Sequence, residues 1–125
     1  MSKNEKTKSE VRKAARLRVK GKAELRNIRM SARKIRIVAD KIRNRKVDDA
    51  LAYLLFQRKY AVNPLISILD SALANAVSRG CDSSKLYIEN IQVNKGSIQK
   101  RFMPRAQGRS TKIRKQTAHI LVSLI

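Results

Sequence analysis

Lys100, Arg101, Arg105, Arg109, Lys112, Arg114 and Lys115 crowd into sixteen consecutive residues, interleaved with the small or turn-forming residues Pro104, Ala106, Gly108 and Ser110. Arginine presents a planar fork of N–H donors suited to phosphate oxygens and to stacking on bases, and lysine adds a compact charge. With Lys95 they make eight Lys or Arg between Lys95 and Ala118, and no Asp or Glu lies among them. This set binds a polyanion. If seven phosphates were neutralised, log K would fall with log salt at a slope of about −5 to −6.

Other residue types with chemical potential are few. His119 is the only histidine; it stands in an alternating segment and reads as a strand residue with its ring hydrogen-bonded or exposed. Asp48 and Asp49 open a helical stretch, where carboxylates complement the helix dipole, and no histidine or third acid is near. Cys81 is the sole cysteine, which excludes an intramolecular disulfide and offers no catalytic partner. The sequence has no glycine-rich phosphate loop and no Cys/His metal cluster. RNP-type aromatic strand motifs are absent too, and only Phe102 could stack within the basic stretch. No catalytic residue, metal or cofactor is expected, and the chain reads as a binding protein and not an enzyme.

The basic stretch is flanked by apolar segments, Leu86–Val93 and His119–Ile125. Ile120, Val122 and Leu124 alternate against His119, Leu121 and Ser123, as a half-buried strand does. Leu86, Ile88, Ile91 and Val93 alternate with one slip between Ile88 and Ile91, the mark of a bulge. The two segments form an antiparallel pair, and residues 95–118 become a hairpin arm. Legs of about ten residues at about 3.3 Å each would reach about 30 Å. A domain of about 90 residues has a radius of gyration near 12 Å. Isolated two-stranded hairpins are marginal in water, so this arm calls for an external partner.

The rest of the chain supplies the base. Ala23–Met30 is a short strand. Ser31 is a helix cap for Ser31–Arg43, where Ile35, Val38, Ala39 and Ile42 make one stripe and Arg33, Lys34 and Arg36 lie mostly off it as a basic face. Val47, Ala50, Leu51, Leu54 and Leu55 repeat the stripe. Asn63 and Pro64 signal a third helix that ends at Gly80, with Leu65, Ile68, Leu69, Ala72, Leu73 and Ala76 on one face. The fold class is α+β: three helices packed on a small three-stranded antiparallel sheet, with a long basic β-hairpin arm projecting from it.

Charge is segregated along the 125 residues. Net charge is +14 over residues 1–46, −1 over 47–89 and +8 over 90–125, +21 in all; the isoelectric point is about 11.2. A near-neutral packed middle thus lies between two contact surfaces. Residues 1–20 read as a basic extension, disordered when free, in which Val11–Arg18 could turn helical against a polyanion; residues 21–125 read as a single RNA-binding domain including the arm. No run approaches the length of a membrane span, and no secretory signal is present. A cytoplasmic setting fits, with an organelle matrix as the alternative.

Several stretches resemble the large-subunit ribosomal protein family numbered twenty-two, in its bacterial-type form. The strongest is KRFMPRAQGRSTKIRKQTAHI, with Lys100, Arg105-Ala106, Gly108-Arg109, His119-Ile120, Val122 and Leu124 at the family's spacing. RMSARKIRIVADKIR (Arg29–Arg43), KVDDAL and SALANA (Ser71–Ala76) agree, and the likeness runs from Gly21 to Ile125. It implies a structural constituent of the large ribosomal subunit, bound to ribosomal RNA beside neighbouring ribosomal proteins, with a role in assembly. The domain would sit near the exit of the nascent-peptide tunnel. The hairpin tip, Gln99, Lys100, Arg101, Phe102, Met103, Pro104, Arg105, Ala106, Gln107, Gly108 and Arg109, would line the tunnel and meet the nascent peptide, beside the constriction where macrolides bind. Neither a membrane nor a homo-oligomer is expected. The alternative is a non-ribosomal architectural RNA- or DNA-binding protein.

Overall fold

The computed structural model describes residues 3–125. In chain order it contains α1 (Lys3–Arg18), β1 (Gly21–Ile28), α2 (Ala32–Ile42), α3 (Val47–Phe56), α4 (Val62–Val77), β2 (Ile88–Pro104) and β3 (Ser110–Leu124), with single 3-10 turns at Ser83–Lys85 and Ala106–Gly108. The three strands form one antiparallel sheet in the order β1-β3-β2. The architecture is α+β, with four helices where periodicity predicted three. The additional one is α1. It is rich in Lys, Arg, Glu and Ala, residues of good intrinsic helix propensity. Its amphipathic periodicity is weak, and Thr7 through Ala14 are exposed. Helix α1 therefore has no apolar stripe for periodicity to detect.

Burial follows the stripes read from the sequence. Ile35, Val38, Ala39 and Ile42 of α2 are buried with Val47, Ala50 and Leu54 of α3, and Leu65, Ile68, Leu69, Ala72 and Ala76 of α4. They close over Ile88, Ile91 and Val93 of β2 and over Ala118, Ile120, Val122 and Leu124 of β3. Helix α4 packs on β1 and β3, α2 lies against β2, and α3 rests on α4. Leu55 departs from its predicted stripe: it is 74% exposed, beside Phe56 at 86%. Helix α3 buries Val47, Ala50 and Leu54 in the core, with Leu51 and Tyr53 half-buried against it.

Element boundaries differ from the predicted ones for identifiable reasons. Gly21 begins β1 instead of merely breaking the basic run. Strand and helix approach so closely there that a Cβ on Gly21 would collide with the Ala72 carbonyl oxygen and lie 2.9 Å from Ala76 Cβ. Ser31 does precede α2 in extended backbone, but its hydroxyl makes no capping bond. Helix α4 starts at Val62, ahead of Asn63 and Pro64, because the Val62 and Asn63 N–H groups turn back onto the carbonyls of Lys59 and Tyr60. Pro64 then sits in the first turn, where a missing N–H is tolerated. Gly80 closes α4 as expected: at φ 81° it lets Gly80 N–H reach the Val77 carbonyl and Cys81 N–H the Ala76 carbonyl, a Schellman ending.

The slip in β2 is a register shift between Ile88 and Asn90, and a second shift falls between Lys95 and Ile98. There Gly96 is required, since a Cβ would meet Thr117 Oγ1 and stand 3.0 Å from His119 Nε2. Thr117 Oγ1 donates to the Ser97 carbonyl at 2.7 Å, holding the irregularity. His119 accepts at Nδ1 from the Asn27 backbone N–H at 3.1 Å, where β1 makes its own shift with Asn27 at φ 56°. The sole histidine is thus a strand residue with its ring hydrogen-bonded.

Candidate nucleic-acid interface

Beyond the second shift, β2 and β3 pair without interruption from Ile98↔Gln116 to Pro104↔Ser110. Seven pairs at about 3.3 Å per residue make about 23 Å of ladder before the tip. Every residue from Ser97 to Gln116 is exposed. The tip is closed by Arg105 N–H donating to the Arg109 carbonyl at 2.7 Å. The chain reverses there through Gln107 at φ 59° and Gly108 at φ 68°.

The register decides which cations share a face. Directly opposed residues lie on the same side of an antiparallel pair, and successive residues alternate. One face carries Ile98, Lys100, Phe102, Lys112, Arg114 and Gln116; the other carries Gln99, Arg101, Met103, Thr111, Ile113 and Lys115. Positive charge therefore stands on both faces. Lys100 is directly opposite Arg114, and like charges in that position are destabilising. Among the described residues the ion pairs are Arg26–Glu24, Arg43–Asp40 and Lys85–Asp82, none of them in the hairpin. Arg26, bonded to Glu24, holds that carboxyl below its ordinary range, so even this β1 carboxylate is already engaged. The ladder that lacks internal anions is also the one with a self-repelling cross-strand pair, and an external polyanion relieves both conditions.

Lys95, Arg105, Arg109 and Lys112 are exposed with the rest of the hairpin cations. The three cations of the α2 face separate. Arg33 and Lys34 are exposed, and Lys34 borders a cleft that also reaches Arg114 and Lys115 at the hairpin root. Arg36 is exposed as well, but its Nε and Nη2 also donate to the Val93 carbonyl at 3.0 and 2.6 Å. Two of its donors thereby fasten α2 to β2, which periodicity alone cannot distinguish from a solvent-facing guanidinium. The same cleft, about 810 Å³, brings in residues that sequence reading missed, above all Arg29, Lys59 and Tyr60. Lys59 and Tyr60 fall in a break between helices, and nothing in their local pattern ties them to Arg114.

Asp48 and Asp49 occupy the first turn of α3. Among the described residues no three His, Cys, Asp or Glu side chains gather to hold a metal ion. No described helix is long and apolar enough to cross a membrane.

Residues 23–125 match the protein family described as Ribosomal protein L22p/L17e. The chain belongs to this family. It is 48% identical over 107 residues to the large ribosomal subunit protein uL22 of Syntrophotalea carbinolica, covering 85% of this chain and 97% of that protein. The uL22 protein of Mycoplasma capricolum is 47% identical over 105 residues, covering 83% and 95%. That of Myxococcus xanthus is 46% identical over 105 residues, covering 82% and 92%. Family membership sets the chain among large-subunit ribosomal proteins and not among enzymes, in agreement with the likeness read from KRFMPRAQGRSTKIRKQTAHI.

Proposed function

We propose that this chain binds large-subunit ribosomal RNA as a structural part of the ribosome and helps the subunit assemble. The observation that carries this reading is the outer β2–β3 ladder: exposed throughout, positive on both faces and without an acidic residue. A surface patch that lay on RNA would need cations on one face only. A ladder charged on both suits an arm enclosed by RNA, contacting phosphates on each side. Multivalent contact of this kind is electrostatic, so affinity falls steeply with salt.

The finer position rests on the family resemblance of Gln99–Arg109. On that basis the globular part sits near the opening of the peptide exit tunnel beside neighbouring ribosomal proteins. The hairpin runs inward, and its tip lines the tunnel wall where a nascent peptide passes. The exposed tip, with Gln107 and Gly108 in left-handed backbone, is compatible with that placement.

Sedimentation of the tagged chain through a gradient with salt-washed ribosomes tests the reading. Co-migration with large subunits at physiological salt, lost progressively as salt is raised, is the expected result. Preference of the purified chain for random duplex DNA over large-subunit RNA at physiological salt would instead make it a general architectural protein.

A further inference from the structure

The cleft at the hairpin root has a composition that simple phosphate neutralisation does not explain. It lies where the α2 N-terminal turn, the α3–α4 connection and the root of the outer hairpin meet. Five cations border it, Arg29, Lys34, Lys59, Arg114 and Lys115, and no carboxylate among the described residues does. Its lining also has apolar members: Met30 and Ala61 are buried, and Tyr60 and Ile37 stand 77% and 53% exposed. Gln99 and Gln116 add side-chain amides, which donate and accept hydrogen bonds at once. A cleft of about 810 Å³ falls within the range of about 300–1,000 Å³ typical of small-molecule sites.

We propose that this cleft is a nucleotide subsite: it takes one unpaired base of the bound RNA, laid against the Tyr60 ring and Ile37, with the flanking phosphates on the bordering cations Arg29, Lys34, Lys59 and Arg114. The inference rests on the RNA-binding reading above and adds to it a place where the chain distinguishes an unstacked nucleotide from duplex. Each part has a physical reason. Every base has an apolar π-face that stacks on an aromatic ring irrespective of sequence. The phosphates on either side of an extruded base need cations on opposite walls, and Lys34 and Lys59 come from α2 and the α3–α4 connection while Arg114 comes from β3, on the hairpin face that continues the buried Ala118 and Ile120. The amide of Gln116, on the same hairpin face as Arg114, can serve the polar edge of the base. Paired bases within a duplex are already stacked and cannot enter.

The full chain carrying Tyr60→Trp provides the test, because the protein has no tryptophan of its own. Single-stranded oligoadenylate should quench the introduced indole, whereas RNA duplex and inorganic polyphosphate should bind without quenching it. Binding is followed separately by anisotropy of labelled RNA. In the native background, Tyr60→Ser should weaken oligoadenylate binding at least about fivefold. Tyr60→Phe, which keeps the ring, should bind like the native chain, and the exposed position predicts unchanged thermal unfolding for both. RNA binding with unaltered indole emission, or equal quenching by polyphosphate, would overturn the subsite and leave the RNA-binding reading standing. So would a Tyr60→Ser variant of native affinity. Absence of RNA binding altogether at physiological salt would overturn both.

Discussion

Arg36 shows how the fold can give a side chain a contact that its spacing does not reveal. By spacing it belongs with Arg33 and Lys34 on the basic face of α2, but two of its N–H groups end on the Val93 carbonyl. Replacing it with alanine should lower stability by about 1–3 kcal/mol, since a partly buried acceptor loses a charged donor. Chemical denaturation measures the loss, and the salt slope of RNA binding should change less than in Arg114→Ala, where it should fall by about 1. Gly21 is a second such residue. The position a Cβ would take there is already filled by the Ala72 carbonyl, so Gly21→Ala forces β1 and α4 apart and should cost about 1–3 kcal/mol, as overpacked sites do. A denaturation midpoint equal to the native one would show that the strand can shift without penalty. His119, by contrast, behaved as its sequence context suggested: alternation placed it on a strand, and Asn27 engages its ring.

At the scale of elements, the hairpin divides at Gly96–Ser97. Inside that point β2 and β3 bury one face in the core; outside it they expose both faces. Core and outer ladder should therefore be separable. Deleting Lys100–Arg114 and joining the paired residues Gln99 and Lys115 through a two-residue Asn-Gly turn should leave cooperative unfolding intact while removing most of the salt-sensitive RNA affinity. Circular dichroism and RNA titration read the two halves of that statement, and loss of the unfolding transition would mean the ladder is part of the folding unit. The reverse experiment is Leu69→Asp. Leu69 is fully buried, and an unpaired carboxylate there has no compensating partner, so the domain should not fold; a soluble variant of native stability would contradict the core. Helices α2 and α4 were legible because stripe and burial coincide in them. Helix α1 was not, because it has propensity without a stripe. Leu55 was misread, because it lies at stripe spacing in α3 yet faces away from the core.

The whole molecule is governed by its charge of +21. Like charges repel within the compact state, and salt screens them over about 8–10 Å at physiological strength. Raising salt should consequently stabilise the free chain, seen as a higher melting temperature, while weakening its RNA complex; a melting temperature that falls with added salt would show that self-repulsion does not control the stability of the free chain. Segregation of that charge into two blocks around a neutral core was readable from residue order, and so were the α+β class and the family. These depend on local periodicity and on types and spacings within one stretch. What only the tertiary structure decided is which distant residues meet. The pairing register sets Lys100 against Arg114 and distributes cations over both faces of the hairpin, and the packing of α2 brings the Arg36 guanidinium onto the Val93 carbonyl. Folding also brings Tyr60 to within one cleft of Arg114 and Lys115. None of these follows from periodicity, because each depends on the relative placement of elements, which is set by how side chains far apart in the chain pack together.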